Sequence, residues 1–291
     1  MTTLILGARG MLGRALVREF PGAVGLDLDE LDLRDETAVR STLSLLHPSL
    51  VLNAAADTRV DAAESGPSHQ AVNDVAVGTL GAACREIGAR LAHVSTDYVF
   101  SGRGARPWRE DDPVDPVNAY GRGKLAGERR FQESGVGGFV VRTSWLFGEG
   151  GANFVDAILS QVEAGRKELK VVADQSGRPT HTLDLARAIR LLTESDAEGV
   201  FHFANAGETT WYSFAREALR LAGHDDVIVH PCTTADFPRP ARRPTYSVLD
   251  TSLYERTVAE KPRPFSEALA DYLGLRETSR REAAAAVPSP T

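Results

Sequence analysis

Short, almost wholly apolar runs alternate along this chain with stretches in which apolar residues recur every three or four positions. The runs are Thr2–Leu6, Ala23–Leu26, Leu50–Asn53, Arg90–Ser95 and Gly138–Arg142, and each predicts a strand buried on both faces. Between them Leu12, Ala15, Leu16 and Phe20 repeat at helical spacing, as do Val39, Leu43 and Leu46 behind a capping Asp35. A further helix is expected from about Asn73 to Ile87. Strands alternating with helices predict an α/β fold with a doubly wound, Rossmann-type parallel sheet.

Beyond Arg142 the pattern loosens. A helix is expected over Phe154–Ala164, a short strand at Val171-Val172 and a polar loop over Asp174–Thr182. Leu185, Ile189 and Leu192 mark another helix, Val200–Ala204 one more strand, and Thr210 caps a helix bearing Phe214, Leu219 and Leu221. Residues 1–145 and 181–204 are expected to form a dinucleotide-binding domain. Residues 146–180 and 205–276 are expected to form a smaller α/β substrate lobe, and 277–291 a disordered tail.

The polar residues that matter fall at the carboxyl ends of the strands, where ligands bind in such sheets. Gly7-Ala-Arg9-Gly10-Met11-Leu12-Gly13 follows the first strand and opens a helix, the context in which glycines let a pyrophosphate approach a helix N-terminus. Asp27 ends the second strand, where a carboxylate accepts hydrogen bonds from an adenosine ribose. Asp32-Leu33 borders the adenine, and the small residues of Asn53-Ala54-Ala55-Ala56 leave room for a flat cofactor. Arg9 is expected to pair with the 2′-phosphate of NADPH and Asp27 to favour NADH, so both coenzymes are expected to serve.

Tyr120 and Lys124 lie one helical turn apart, and a hydroxyl at the end of the fourth strand can be brought against them. A nearby ammonium favours the phenolate and brings tyrosine toward the pH at which a general acid works best. By itself this spacing is common in helices; the upstream glycine turn gives it weight.

Composition narrows the class. The 291 residues carry a net charge of -7, which argues against general nucleic-acid binding. No apolar stretch reaches the ~18 residues that span a membrane, and no charged leader with an apolar core precedes Leu4. Cys84 and Cys232 are expected to be free thiols in a reducing cytoplasm. The Pro238–Pro244 loop is basic and suited to a phosphate. Monomer and homodimer both fit this composition, and no metal site is expected.

With these residues in place the chain resembles the extended short-chain dehydrogenase/reductases, and within them the dTDP-4-dehydrorhamnose reductase family. The resemblance rests on Asn53–Ala56, Val60-Asp61, Ser95-Thr-Asp-Tyr-Val-Phe100, Tyr120-Gly, Lys124-Leu-Ala-Gly-Glu128, Arg142-Thr-Ser-Trp145, Asp174-Gln, Pro179-Thr180 and Thr210-Trp211. It implies reduction of the 4-keto group of a dTDP-4-keto-6-deoxyhexose with NADPH or NADH. Tyr120 would protonate the carbonyl oxygen, Lys124 would lower the tyrosine's pKa and hold the nicotinamide ribose, and Thr96 would hydrogen-bond the carbonyl. Thr96 is preferred to Ser95 because it keeps the family's spacing to the tyrosine. Val60, Asp97, Tyr98 and Trp145 would line the sugar pocket. From charge rather than from the resemblance, the basic side chains Arg178, Arg239, Arg242 and Arg243 are expected to cluster around the diphosphate, which needs local cations in a chain acidic overall.

Asp57, Arg59 and Arg178 depart from the family's usual residues, which leaves the identity of the sugar open. A reductase for another deoxysugar is the alternative. A non-catalytic cofactor-binding subunit, like the regulatory beta subunit of methionine adenosyltransferase, is a third reading, disfavoured by the intact trio.

Overall fold

A computed structural model describes residues 2–66 and 70–285. Five of the expected strands are present as β1 (Thr3–Leu6), β2 (Val24–Leu26), β3 (Leu50–Asn53), β4 (Arg90–Thr96) and β5 (Gly138–Thr143). With the strand Gly199–His202 on the outer side of β5 they form one six-stranded sheet, and every pairing in it is parallel. The order places β2 and β3 on either side of β1, so the chain reverses direction across the sheet there. That reversal opens a crevice at the carboxyl ends. β4 runs furthest: Asn53 pairs with His93, while Ser95 and Thr96 pair onward with Arg142 and Thr143.

Alternation along each strand builds two cores. Ile5, Leu52, Phe139 and Val141 face helix α1 (Met11–Glu19) and the helix Thr182–Glu194. Leu4, Leu6, Val51, Leu91 and Val140 face helix α2 (Glu36–Leu46), the helix Ala76–Glu86 and the helix Ala119–Ser134. The Asp35 cap forms as expected, accepting from Ala38 N–H at 3.0 Å. The Ala76–Glu86 helix is entered through a π-helical turn over Ala71–Val75. Within it Asn73 holds Asp57 from both sides, accepting its N–H at 2.9 Å and donating to its carbonyl at 2.8 Å.

A third core joins Phe147, Ile158, Leu159, Phe214, Leu269 and Tyr272. It is roofed by the helices Phe154–Glu163 and Trp211–Leu221 and by a parallel strand pair, Glu168–Val172 with Ile228–Cys232. Thr210 caps the second of these helices, accepting from Ser213 N–H at 3.1 Å.

Two expectations need correction. The helix Phe265–Ala285 runs through much of the segment expected to be a disordered tail. Ala268, Leu269 and Tyr272 anchor it in the third core, while Arg276 and Arg280 pair with Glu163 at 3.0 and 2.5 Å. Residues 286–291 of that expected tail lie outside the described residues. The helix Ser252–Val258, expected in the lobe, instead places Tyr254 in the core beneath the sheet, its ring 4.9 Å from that of Phe203. Cys84 and Cys232 are both free thiols. Among the described residues no helix is long and apolar enough to cross a membrane.

Candidate active site

The glycine turn is built for close approach. Gly7 has φ +73° and its N–H donates to Leu26 O at 2.9 Å, tying the turn to β2. A Cβ on Gly13 would stand 2.0 Å from Gly7 O, and one on Gly7 2.9 Å from Ala55 Cα. Any side chain at these points would fill the cradle in front of the α1 N-terminus, where a pyrophosphate fits. On one side lies a cavity of about 480 Å³ lined by Gly7, Gly10, Asp27, Asp32, Leu33 and Ala54–Ala56. Neither Arg9 nor Asn53 lines it. Arg9 is turned to the acids at its rim. Asn53 serves the backbone, accepting from Ala55 N–H at 3.1 Å and meeting His93 Nδ1 at 3.1 Å.

On the other side a cavity of about 570 Å³ brings together Met11, Leu12, Gly13, Val60, Thr96, Asp97, Tyr98, Tyr120, Lys124 and Trp145. The expected trio therefore shares one chamber with the α1 N-terminus. The Ala119–Ser134 helix that carries Tyr120 and Lys124 is capped by Asn118, whose side chain accepts from Gly121 N–H at 2.7 Å. Gly121 is required here because a Cβ would lie 2.2 Å from Tyr98 O. That contact sets the Tyr120 ring edge-on to Tyr98, with centroids 5.9 Å apart. Thr96 Oγ1 donates to Asp97 Oδ1 at 3.0 Å and accepts from Tyr98 N–H at 3.2 Å.

The electrostatics differ from the expectation. Burial, and after it the charge of Asp97, raises the Tyr120 phenol above its usual range; Lys124 is not among the groups that shift it. Lys124 is itself pushed down to about 8 by burial, with the Glu128 charge opposing. Burial also lifts Asp97 to about 7, against hydrogen bonds from Ser247 and Thr96, and its Oδ2 has no protein partner. In the free protein the tyrosine is thus firmly protonated, the state a proton donor needs.

Trp145 sits at the far wall in the left-handed region, φ +47°, a conformation that costs a bulky residue about 1–3 kcal/mol. Its ring stacks on Trp211, centroids 3.5 Å apart and planes 7° from parallel. Beyond the two tryptophans a cavity of about 700 Å³ is lined by Tyr98, Gln175, Phe237, Arg239, Arg242 and Arg243, among others. Arg243 reaches it already paired, bidentate to Asp61 at 2.5 and 3.0 Å. Arg242 is exposed, and its carbonyl accepts from Asn118 Nδ2 at 2.8 Å, coupling this loop to the tyrosine helix. Arg178 does not join them. It lines none of the three cavities, and its Nη1 lies 3.5 Å from Thr251 Oγ1, drawn toward the side of Asp250.

The structure adds residues that the sequence did not single out. Gly150, Gly151 and Ala152 close the 570 Å³ cavity over α1. Phe154 and Lys170 line the 700 Å³ cavity beside Gln175, already marked by its motif, which accepts from Trp211 Nε1 at 3.2 Å and donates to Thr234 Oγ1 at 2.9 Å. The polar loop around Gln175 was the one available signal. Among the described residues no group of three or more His, Cys, Asp or Glu side chains is placed to hold a metal ion.

The chain is similar over most of its length to known proteins. The family model for the RmlD substrate binding domain matches residues 1–277. A dTDP-4-dehydrorhamnose reductase of Streptomyces griseus is 43% identical, covering 92% of this chain and 91% of its own. A dTDP-4-keto-6-deoxy-D-glucose reductase of Streptomyces niveus is 40% identical, covering 94% and 96%. The structure of a dTDP-4-dehydrorhamnose reductase from Bacillus anthracis in complex with NADP superposes with TM-score 0.90 at 32% identity, covering 94% of this chain and 99% of that one.

Proposed function

Because the chain belongs to the RmlD substrate binding domain family, we propose that it reduces the 4-keto group of a dTDP-4-keto-6-deoxyhexose with NADPH or NADH. The substrate we assign is dTDP-4-dehydro-L-rhamnose and the product dTDP-L-rhamnose. The observation that carries this reading is the single chamber in which Thr96, Tyr120 and Lys124 meet both the α1 N-terminus and Trp145.

A nicotinamide coenzyme held at the glycine turn and Lys124 would supply hydride to the keto carbon. Tyr120 gives its phenolic proton to the carbonyl oxygen, and Thr96 Oγ1 orients that oxygen by hydrogen bonding. Lys124 supports the phenolate as it forms and holds the nicotinamide ribose. The 480 Å³ cavity takes the adenosine half of the dinucleotide, with the pyrophosphate at the glycine turn. The sugar lies against Val60, Asp97, Tyr98 and Trp145, and the thymidine diphosphate extends toward Arg242 and Arg243 in the 700 Å³ cavity. Supporting a two-part organisation, the sheet cores and the third core draw on different segments of the chain. We place the enzyme in the cytoplasm, acting on a small molecule as a monomer or homodimer.

A second reading, reduction of a different dTDP-deoxysugar, is favoured by one observation. Asp57 and Arg59, both departures from the family's usual residues, form a bidentate pair at 2.9 and 2.6 Å beside the cofactor cavity. Incubation with a panel of dTDP-4-keto-6-deoxyhexoses, following cofactor oxidation and product stereochemistry, separates the two. Coenzyme binding with no oxidation on any member of the panel would leave only the non-catalytic reading.

A further inference from the structure

Behind the chamber that holds Tyr120, two buried cations share one buried carboxylate. Lys124 and Glu128 are each 2% exposed and Arg142 4%. Glu128 follows Lys124 by four positions on the Ala119–Ser134 helix, so the two side chains lie one turn apart on the same face. Glu128 is fixed from two strands at once. Ser95 Oγ of β4 donates to Oε1 at 2.5 Å, while Arg142 of β5 donates from Nε to Oε1 at 2.9 Å and from Nη2 to Oε2 at 2.7 Å. Arg142 is held in turn, with Nη1 3.4 Å from His202 Nε2 and its guanidinium carbon 5.2 Å from the Phe100 ring centre. Lys124 and Ser95 line the 570 Å³ chamber; Glu128 and Arg142 do not. The carboxylate thus stands one layer behind the reacting groups, out of a substrate's reach.

We propose that Glu128 is a positioning residue for the reaction: anchored by Ser95 and Arg142, its carboxylate is the counter-charge that keeps buried Lys124 an ammonium beside Tyr120. The proposal rests on the reading of the chain as a reductase in which Tyr120 gives up a proton. Burial penalises the charged form of a lysine, so an ammonium in the interior needs a compensating charge. The other groups packed around the helix do not supply one. From β4, His93 is lowered well below its usual range by burial and then by the Lys124 charge, and is neutral. From the turn after β4, Tyr98 is raised by burial, and Asp97, lifted to about 7, is only partly ionised at neutral pH. Tyr120, on the same helix, keeps its proton. Asp57, in the loop after β3, pairs with Arg59 at 2.6 Å. Glu64 and Asp74, from the turns packed on the helix, face Arg122 at 3.8 Å and Arg130 at 3.2 Å. Arg85, from the Ala76–Glu86 helix, donates to Ser134 O at the far end. Burial pushes Lys124 down to about 8, and Glu128 is the charge that opposes it. With two cations flanking one anion, removing the anion would leave like charges buried together.

The chain has four lysines, Lys124, Lys167, Lys170 and Lys261, so the titration of Lys124 can be followed by NMR. The sample is the full-length protein free of ligands, labelled with carbon-13 at lysine Cε, and the signal is assigned by its loss in Lys124→Met. In the wild type it is expected to titrate near pH 8. Glu128→Gln removes the charge and keeps the shape. Glu128→Met combined with Arg142→Met replaces the whole pair by apolar side chains, a change that buried ion pairs often tolerate without loss of stability. The Lys124 titration is expected to move down by about one pH unit in Glu128→Gln, the effect of one nearby opposite charge. It should move the same way, by less, in the double variant, where a cation leaves as well. The alkaline limb of kcat/KM for the dTDP-sugar should follow in both. A pair that only stabilises the fold predicts no shift in a folded double variant. A Lys124 titration that stays in place in either folded variant overturns the inference, and so does failure of both variants to fold, which would make the pair purely structural. A wild type that turns over no dTDP-4-keto sugar would instead sink the proposed function, and the titration alone would then decide the role of Glu128.

Discussion

Ser95 and Thr96 are consecutive on β4 yet serve different tasks: Ser95 Oγ donates to Glu128 Oε1 at 2.5 Å, whereas Thr96 Oγ1 donates to Asp97 Oδ1 at 3.0 Å in the chamber that holds Tyr120. Strand alternation separates them. Glu128 is bidentate to Arg142 at 2.9 and 2.7 Å, and both side chains are almost fully buried. Ser95 therefore completes a buried ion pair, although it lines the same chamber as Thr96; the reading proposed above gives the substrate carbonyl to Thr96.

Ser95→Ala is accordingly expected to lower stability by about 1.5–3 kcal/mol, the contribution of a hydrogen bond to a charged group, since Glu128 Oε1 keeps Arg142 Nε as its other donor, with kcat nearly intact. Tyr120→Phe should keep coenzyme affinity and lose about 10²–10⁴-fold in kcat, the usual contribution of a general acid. Thr96→Ala should lower kcat as well. Thermal melts beside steady-state kinetics decide the matter; a kinetic defect in Ser95→Ala larger than that in Thr96→Ala would reverse the assignment.

Asp97 gives a stability signature of unusual sign. Its carboxyl titrates at about 7 when folded but near 3.9 when unfolded, so between those values the folded state binds the extra proton. Stability contributed by this group is present in full below about pH 4 and is lost as pH rises through 7. The difference in Tm between Asp97→Asn and wild type should move in favour of the variant from pH 4 to pH 7. A constant difference would show that the carboxyl is not raised.

Lys124 supplies the upper limit of the activity profile. In the proposed mechanism its ammonium supports the forming phenolate and the ribose, and burial lowers it to about 8. We expect kcat/KM in the free enzyme to fall above about pH 8, roughly tenfold per pH unit where the limb is steepest. A flat profile to pH 10 would show that the charged lysine is dispensable.

The two arginines of the Pro238–Pro244 loop should separate. Losing a guanidinium–phosphate contact costs roughly 1.5–3 kcal/mol, so Arg242→Ala should raise KM for the dTDP-sugar by about tenfold or more with Tm unchanged. Arg243→Ala should raise KM and also lower Tm, because Asp61 loses the partner that holds its carboxyl below the usual range. Neither change should affect coenzyme Kd. Weakened coenzyme binding in both would move the diphosphate elsewhere.

Gly13→Ala tests the cradle. With 2.0 Å between the new Cβ and Gly7 O, α1 must shift away from the turn. Loss of coenzyme binding and a lower Tm are expected together, and a variant that binds NADH like wild type would show that the turn yields more cheaply than its packing implies.

The sheet is legible in the sequence because local periodicity and global packing agree: Leu4, Ile5 and Leu6 alternate between two cores where the pattern makes a strand. The trio is legible for the same reason, since strand ends and one helical turn fix its placement. Pairings over long sequence separation are not. From its loop alone Arg178 reads as a phosphate ligand, but Asp250 and Thr251 stand beside it; Arg9 does too, but Asp29 and Glu30 hold it. The segment from Glu277 reads as disordered because the partner of its arginines, Glu163, lies far earlier in the chain: Arg280 is 117 positions away. The tyrosine's environment escapes the motif because burial and Asp97, not Lys124, dominate it, and burial cannot be read from a spacing.

The helix Phe265–Ala285 has a consequence for how the protein is made. Its Tyr272 hydroxyl donates to Asp156 Oδ2 at 2.7 Å and its Arg276 to Asp156 Oδ1 at 2.8 Å, which pins the Phe154–Glu163 helix, a wall of the 700 Å³ cavity. A ribosome that has translated only as far as the Pro238–Pro244 loop has already released the glycine turn, the tyrosine and the lysine, and the nascent chain can begin to fold the sheet around them. The wall of the cavity proposed for the sugar nucleotide waits until Tyr272 and Arg276 have followed. During synthesis, then, the coenzyme's resting place is laid down early and the substrate's late, and a chain stalled in between would hold its reductant with nothing to reduce.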